Sequence, residues 1–355
     1  MRQYHDIIKE VLRRGEVQPE MRTGQFVLSI PSWRTSYDTS KGLPIVTTKN
    51  IPHRLPFEEI FWKLRGERTA KTLSDKKITI WNGNAFDLYV RNKGLDAQYP
   101  KNTPAWNAGF AEFNEKLRAG EVDGDLGPVY GYQWRHWKDS DGSEVDQVKD
   151  LFDSIKKNSG SRYHTLSAWN VGDLKKMAIG PCPFFHQFSV YGDNIDLVVN
   201  QRSCDVYLGI PFNDSQDTLL LHMVAREVGL NPRNLERLMG NTHIYLGVSP
   251  RADFWLDKDN VFEFRKKFVS INKREDYMGL RDWYLSRAGP ESSGNEKKDH
   301  VPFTLEQLSK EPKDLPKLVL GDVPFFDAIH KLPKEVCSVV GYDPHIWDSW
   351  AVMAA

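Results

Sequence analysis

The sequence predicts an α+β fold in which helices flank one large β-sheet, and three observations carry that expectation. Apolar residues recur at helical spacing near the N-terminus and again within 57–64. Short runs of alternating β-branched and polar residues occupy the middle of the chain, and a long apolar helical pattern follows them. With 355 residues and 40% hydrophobic content the chain can bury a sizeable core, and it reads as one domain spanning 1–355 with two inserted segments.

Tyr4, Ile7, Ile8, Val11 and Leu12 share a face of a helix over 2–13, closed by Gly15. Residues 25–30 and 35–38 read as strands interrupted by Pro31. Residues 57–64 read as a buried helix ending at Gly66; there Glu59 stands among Ile60, Phe61, Trp62 and Leu64, and a carboxyl group in so apolar a setting needs a reason. Residues 167–171, 186–190 and 196–200 read as strands of one sheet. Asp214 and Ser215 offer an N-cap to a helix carrying Leu219, Leu220, Met223, Val224 and Val228, stopped by Gly229 and Pro232. Residues 85–123, with Pro100 and Pro104, lack clear periodicity, and 249–301 ends in the linker-like stretch 289–299, so both read as insertions.

The 48 basic and 48 acidic residues leave no net field to attract nucleic acid, so any phosphate must be recognised by a local arginine cluster. Cys182, Cys204 and Cys337 form no CxxC or CxxH pair, which argues against a metal site and fits a reducing compartment. The N-terminal residues lack the apolar stretch of a signal peptide, and no window approaches about eighteen uninterrupted apolar residues. The expected location is the cytoplasm, with no membrane partner.

Chemistry concentrates in two segments. Cys182 sits in Pro-Cys-Pro-Phe-Phe-His-Gln-Phe (181–188), and Gln-Arg-Ser-Cys-Asp-Val-Tyr-Leu-Gly-Ile-Pro-Phe-Asn (201–213) follows, so a thiol, a cation and an amide fall within one stretch. A thiol beside a cation is the requirement for a thiolate nucleophile. Taken singly, Cys182 is as readily a small core residue and each arginine a surface ion pair; their company is what makes a site.

Both segments resemble the catalytic core of the thymidylate synthase family, which includes the pyrimidine nucleotide hydroxymethylases, and the resemblance covers most of the chain outside the two insertions. It implies a thymidylate synthase-like fold whose large mixed sheet forms a homodimer interface, with active sites shared between protomers. It implies 5,10-methylenetetrahydrofolate as one-carbon donor and a pyrimidine nucleoside monophosphate, dUMP before others, as acceptor. On the matching positions, the Cys182 thiolate adds to C6 of the base and so makes C5 nucleophilic. Glu59, in Glu-Ile-Phe-Trp-Lys-Leu-Arg-Gly (59–66), matches the general base, and its burial would favour the protonated form. Tyr130, in Gly-Pro-Val-Tyr-Gly (127–131), matches the proton-relay phenol and Asn213 the amide that reads the ring. Arg22, Arg162, Arg202 and Ser203 match the phosphate cage, with Arg162 lent across the dimer interface. His243 and Tyr245 match the pair on the sugar 3′-hydroxyl, and Ile80, Trp81, Asp205, Leu208, Gly209 and Phe212 the folate pocket. An amide at 213 donates to O4 and accepts from N3–H, which suits uracil; Asp214, a helix cap by its surroundings, would suit cytosine only if shifted by one residue.

Four departures from the family pattern bear on the reaction. Pro183 stands where a His follows the nucleophile, Tyr163 replaces a second phosphate-binding Arg, Asn84 replaces a second Trp, and the tail after Tyr342-Asp-Pro-His345 is rewritten. His186, two strand positions beyond Phe184, is either a partial substitute for the missing imidazole or an ordinary strand residue. Loss of an indole and a changed lid admit water to the methylene formed at C5. The expected activity is therefore hydroxymethylation of dUMP, as in the phage enzymes of this family that serve DNA modification. Thymidylate synthase itself is the alternative, a dCMP or CMP hydroxymethylase the third. A retired paralogue that only binds nucleotide or RNA is the non-enzyme reading, and the joint presence of Glu59, Tyr130, Cys182, Arg202 and Asn213 argues against it.

Overall fold

Helix α1, Arg2–Arg14, forms as its spacing predicts, with Tyr4, Ile7, Ile8, Val11 and Leu12 fully buried and Arg13 and Arg14 facing the negative end of its dipole. The structure, a computed structural model, describes residues 1–346; the rewritten tail beyond Ile346 lies outside the described residues. Strands β1, Glu16–Glu20, and β2, Gln25–Asp38, form a hairpin whose turn includes Gly24 at φ +67. The two strands expected over 25–38 are one. Pro31 is exposed and unpaired in the register, and Asn241 of the partner strand takes φ +36 across from it, so the imide interrupts the ladder without ending the strand.

Helix α2, Arg54–Leu64, begins a turn earlier than its apolar run and buries every residue from Pro56 to Leu64. Gly66, at φ +73, lets the chain turn away. The two segments read as irregular insertions are largely helical. Helices α3, Asn82–Lys93, and α4, Pro104–Ala119, occupy the first; Thr103 caps α4 by accepting from the Trp106 N–H, and Pro104 stands at its first turn, where a missing N–H costs nothing. Phe86, Trp106, Phe110 and Phe113 cluster with ring centroids 5.0–6.0 Å apart. They form a second apolar core, which also takes in Trp62, Trp81 and Tyr130.

The sheet continues with β3, Thr165–Ser167, which shares only Ser167 with the strand expected over 167–171, then β4, Pro183–Tyr191, β5, Asn194–Gln201, and the two-residue β6, Cys204–Asp205. Helix α5, Gly209–Val228, crosses over to β7, Asn231–Gly247. In the segment 249–301, helices α6, Lys258–Val269, and α7, Asp276–Arg287, pack Phe264 and Tyr284 against Phe254 and Trp255. The strand order is β1-β2-β7-β5-β4-β3, with β7 antiparallel to β2 but parallel to β5 and β6, so the sheet is mixed. Among the described residues no helix is long and apolar enough to cross a membrane.

The expected cap at Asp214 and Ser215 is wrong by more than a turn. Helix α5 starts at Gly209, and Asp214 lies inside it, fully buried against Arg237 of β7. The apolar pattern is clear only from Leu219 onward, because the first turns of α5 carry polar side chains that are buried rather than solvated.

His5 of α1 is 2% exposed, with Nε2 3.3 Å from Thr48 Oγ1 and Arg274 3.4 Å from Nδ1. Burial first, then the Arg274 guanidinium, pushes its pKa down to about 3, and burial pushes that of His222 down to about 4. Unfolded histidines take up a proton near pH ~6.5 and these folded ones do not, so stability is full above that value and falls as pH drops toward 4. Urea unfolding is expected to lose up to about 1.4 kcal/mol per pH unit for each such histidine across that window, and His5→Asn to flatten the slope.

Candidate active site

Strands β4, β5 and β7 deliver their ends to one cavity of about 990 Å³, closed by α2, the start of α3 and the start of α5. Cys182, just before β4, is half-buried there. A guanidinium nitrogen of Arg202 lies 3.8 Å from its sulfur, close enough to stabilise negative charge on it. The guanidinium is held by the carbonyls of Pro181, at 3.0 Å, and Gly180, at 2.5 Å, while the Arg202 N–H donates to the Cys182 carbonyl at 2.9 Å. Cys182 in turn donates its own N–H to the Tyr130 hydroxyl at 3.0 Å.

Tyr130 has φ +39, a strained value for a bulky residue. The strain has a local cause in the close approach of the next residue to α2: a Cβ on Gly131 would lie 1.7 Å from the Lys63 carbonyl oxygen. Burial, then the neighbouring Cys182, pushes the phenol's pKa well above its usual value.

Glu59 is 7% exposed, but its surroundings are not the apolar ones its sequence neighbours suggest. Trp81 Nε1 donates to Oε1 at 3.2 Å, Lys63 Nζ lies 3.1 Å from the same oxygen, and Gln216 Nε2 donates to Oε2 at 2.5 Å. Lys63 also donates to Gln216 Oε1 at 2.9 Å. The apolar side chains of α2 point to other faces of the helix, so the run 60–64 was a poor guide to what Glu59 meets.

The other sequence-predicted residues divide cleanly. Arg22, Ser203, Asn213, His243 and Tyr245 line the cavity, as do Ile80, Trp81, Asp205, Leu208, Gly209 and Phe212. Arg162 does not; it is exposed in the turn before β3, beside the 88% exposed Tyr163. His243 is fixed through Nδ1 by the Asn241 carbonyl at 2.8 Å and meets Tyr245 edge-on at 5.2 Å, and burial pushes its pKa down, which keeps it neutral near pH 7. Asp205 accepts from the Tyr207 N–H at 3.0 Å. Trp81 stacks on Trp62 at 6.0 Å and meets Tyr130 edge-on at 5.4 Å. Gly83, Asn84 and Pro183 complete stretches of the wall.

For neither His186 nor Asp214 does the alternative reading as a site residue hold, and His186 is the ordinary strand residue. A bulge between Pro183 and Phe185 breaks the shared face expected for positions 182, 184 and 186, and His186 points away to a buried contact with Asp217, 3.0 Å off; it does not stand in for the missing imidazole. Asp214 cannot read a base either, since it is held by Arg237 at 2.7 Å. Polar lining residues with no role assigned from the sequence include Lys63, Gln201 and Asn241. Lys63 was legible as the i+4 partner of Glu59 on a buried helix; Gln201 and Asn241 carried no such signal.

Behind the cavity floor, Arg237 has no exposed surface and bonds Asp214, Asp217 and, at 2.9 Å, Gln201 Oε1. Burial alone would raise the Asp217 pKa, but Arg237 and His186 outweigh it and hold the carboxyl at about 2.

A thiol, a fixed arginine, a buried carboxyl group and a phenol gather around one large cavity, the set of groups that nucleophilic catalysis calls for. A family model described as Thymidylate synthase matches residues 2–353, and the chain belongs to that family. It is 32% identical to the thymidylate synthase of Listeria monocytogenes serovar 1/2a (strain EGD-e), over 97% of both chains, and equally to that of Listeria innocua serovar 6a. The protein is thus a one-carbon transferase of nucleotide biosynthesis that acts at C5 of dUMP with 5,10-methylenetetrahydrofolate as donor.

Removing Arg237 leaves two carboxyl groups buried without their cation. Arg237→Met is expected to cost about 3–5 kcal/mol of stability, read by urea denaturation at pH 7, with less loss when Asp214 and Asp217 are replaced by Asn in the same chain.

Proposed function

We propose that the protein hydroxymethylates dUMP to 5-hydroxymethyl-dUMP. The observation that carries this reading is the cavity wall at Asn84 and Pro183: an amide stands in place of the indole that shields the reacting carbon in the family pattern, and an imide in place of the His that helps order water at the uracil O4. Less shielding favours water over hydride as the trap for the C5 methylene.

The residues take these roles. Cys182 attacks C6, Arg202 stabilises the thiolate, and the electron pair of the C5–C6 bond moves toward C5 and O4. Arg22, Arg202 and Ser203 hold the 5′-phosphate, each charge-assisted bond worth roughly 1.5–3 kcal/mol. Asn213 donates to O4 and accepts from N3–H, and His243 and Tyr245 take the 3′-hydroxyl. The cavity is at the upper end of the range for a single small ligand, which suits a nucleotide with a pterin beside it. Ile80, Trp81, Leu208, Gly209 and Phe212 supply the apolar wall for that pterin and Asp205 a carboxylate for its amino edge. When bound, the folate supplies a carbon at the oxidation level of formaldehyde.

Once C5 has bonded to that carbon, Glu59 would take the C5 proton through water, with Tyr130 in the relay, and the electron pair left on the ring would form an exocyclic C5=CH2 as the bond from that carbon to the folate nitrogen breaks. Water then adds to the exocyclic carbon and gives up a proton. The ring electrons re-form C5=C6, and the C6–S bond breaks to return the Cys182 thiolate. No hydride moves, so the folate leaves unoxidised.

Methylation to dTMP is the second reading, favoured by full-length similarity to proteins named thymidylate synthase. We further propose a homodimer in which the exposed Arg162 of one protomer reaches the phosphate of its partner, in a reducing cytoplasm that keeps the three cysteines free.

Incubation with the folate and dUMP is expected to give a product heavier by one CH2O unit and no dihydrofolate. A product heavier by CH2 with stoichiometric dihydrofolate would sink the leading reading in favour of the second. Cys182→Ser should abolish turnover and the covalent adduct with 5-fluoro-dUMP.

A further inference from the structure

We infer that Lys63 is a positioning residue that, with Gln216, presents Glu59 to the substrate as a base with one free acceptor site. This rests on the proposed role of Glu59 as the group that takes the C5 proton.

The three side chains close a hydrogen-bonded ring. Lys63 Nζ lies 3.1 Å from Glu59 Oε1 and donates at 2.9 Å to Gln216 Oε1, and Gln216 Nε2 donates at 2.5 Å to Glu59 Oε2. The ring has one sense only, because turning the Gln216 amide over would set its NH2 against the ammonium and its oxygen against the carboxylate. None of the three is more than 7% exposed, so water does not compete for these bonds. The face of the Tyr130 ring, 4.8 Å from Nζ, leaves the ammonium in contact with both proton-handling residues.

The consequence lies in counting acceptor sites. Two carboxylate oxygens offer about four lone pairs. Lys63, Trp81 and Gln216 occupy three, each with a donor and none with an acceptor. The arrangement is complementary to a carboxylate and leaves it one direction in which to take a proton. Lys63 and Glu59 both line the cavity, which gives that remaining lone pair access to it. When the C5–H bond breaks, its electron pair stays in the ring as the enolate and the proton passes through water to Glu59, while Lys63 changes neither charge nor partner. Its part is to keep the carboxylate oriented and charge-balanced in a site where an unpaired anion would be costly.

The test uses release of tritium from [5-3H]dUMP in the presence of the folate, a signal that is the same whether the product is hydroxymethylated or methylated. Lys63→Met is expected to lower that rate at least about tenfold, within the hundred- to ten-thousand-fold that a general base supplies. KM for dUMP and the adduct with 5-fluoro-dUMP, which needs no C5 proton transfer, should be retained. Lys63→Ala, which opens space beside Glu59, should recover rate with added ethylamine but not with ethanol. Unchanged tritium release in Lys63→Met, or loss of adduct formation in step with it, would overturn the inference. Glu59→Gln separates the premise from the inference: if it leaves tritium release intact, the role of Glu59 fails, and if it alone abolishes release, the role of Lys63 fails.

Discussion

A guanidinium sealed from water dictates the arrangement at the centre of this molecule. Arg237 lies mid-strand on β7 and is neutralised from α5 by Asp214 and Asp217, so the helix and the sheet must meet in one rotation and one register. Asn213 and the end of β5 are carried along by that constraint. Asn213 precedes Asp214 on the helix, and Gln201, Arg202 and Ser203 continue from the strand that runs parallel to β7. A hydrophobic interface of equal area would tolerate a small rotation of α5; two bonds of 2.7 Å to one planar group do not.

The sequence was most informative where backbone periodicity and side-chain chemistry coincide. α1, β4 and β5 follow their apolar spacing, and of the candidate site residues only Arg162 is remote from the cavity. What was hidden has a physical reason in each case. The first turns of α5 bury Asp214, Ser215, Gln216 and Asp217, so a rule that equates polar with exposed starts the helix too late. The helices of 82–119 pack aromatic faces on one another, and large rings satisfy a core without regular spacing. Pro31 looked like a break because sequence alone does not tell that its partner Asn241 distorts as well.

The same contrast separates the two halves of the proposed chemistry. Arg202 is held by backbone groups, the carbonyls of Gly180, Pro181 and Cys182, while the Cys182 N–H donates to the Tyr130 hydroxyl, so the nucleophile is placed mainly by the chain path around it. Glu59 is held entirely by side chains, Lys63 of α2, Gln216 of α5 and Trp81 just before α3. Nucleophilic attack thus depends on where the end of β5 and the Tyr130 turn meet the Cys182 loop, whereas proton removal depends on how α2, α5 and the residue before α3 pack.

Gly131 ties those halves together. Its α-carbon lies so close to the Lys63 carbonyl that no side chain fits between them, and the amino group at the far end of that same lysine touches Glu59. One residue therefore abuts the phenol-bearing turn with its main chain and the acid with its side chain. The turn and the helix act like meshed gears: a displacement of the turn at Gly131 meets the backbone of α2 directly, and Lys63 and Trp81, which each touch both Tyr130 and Glu59, would move with it.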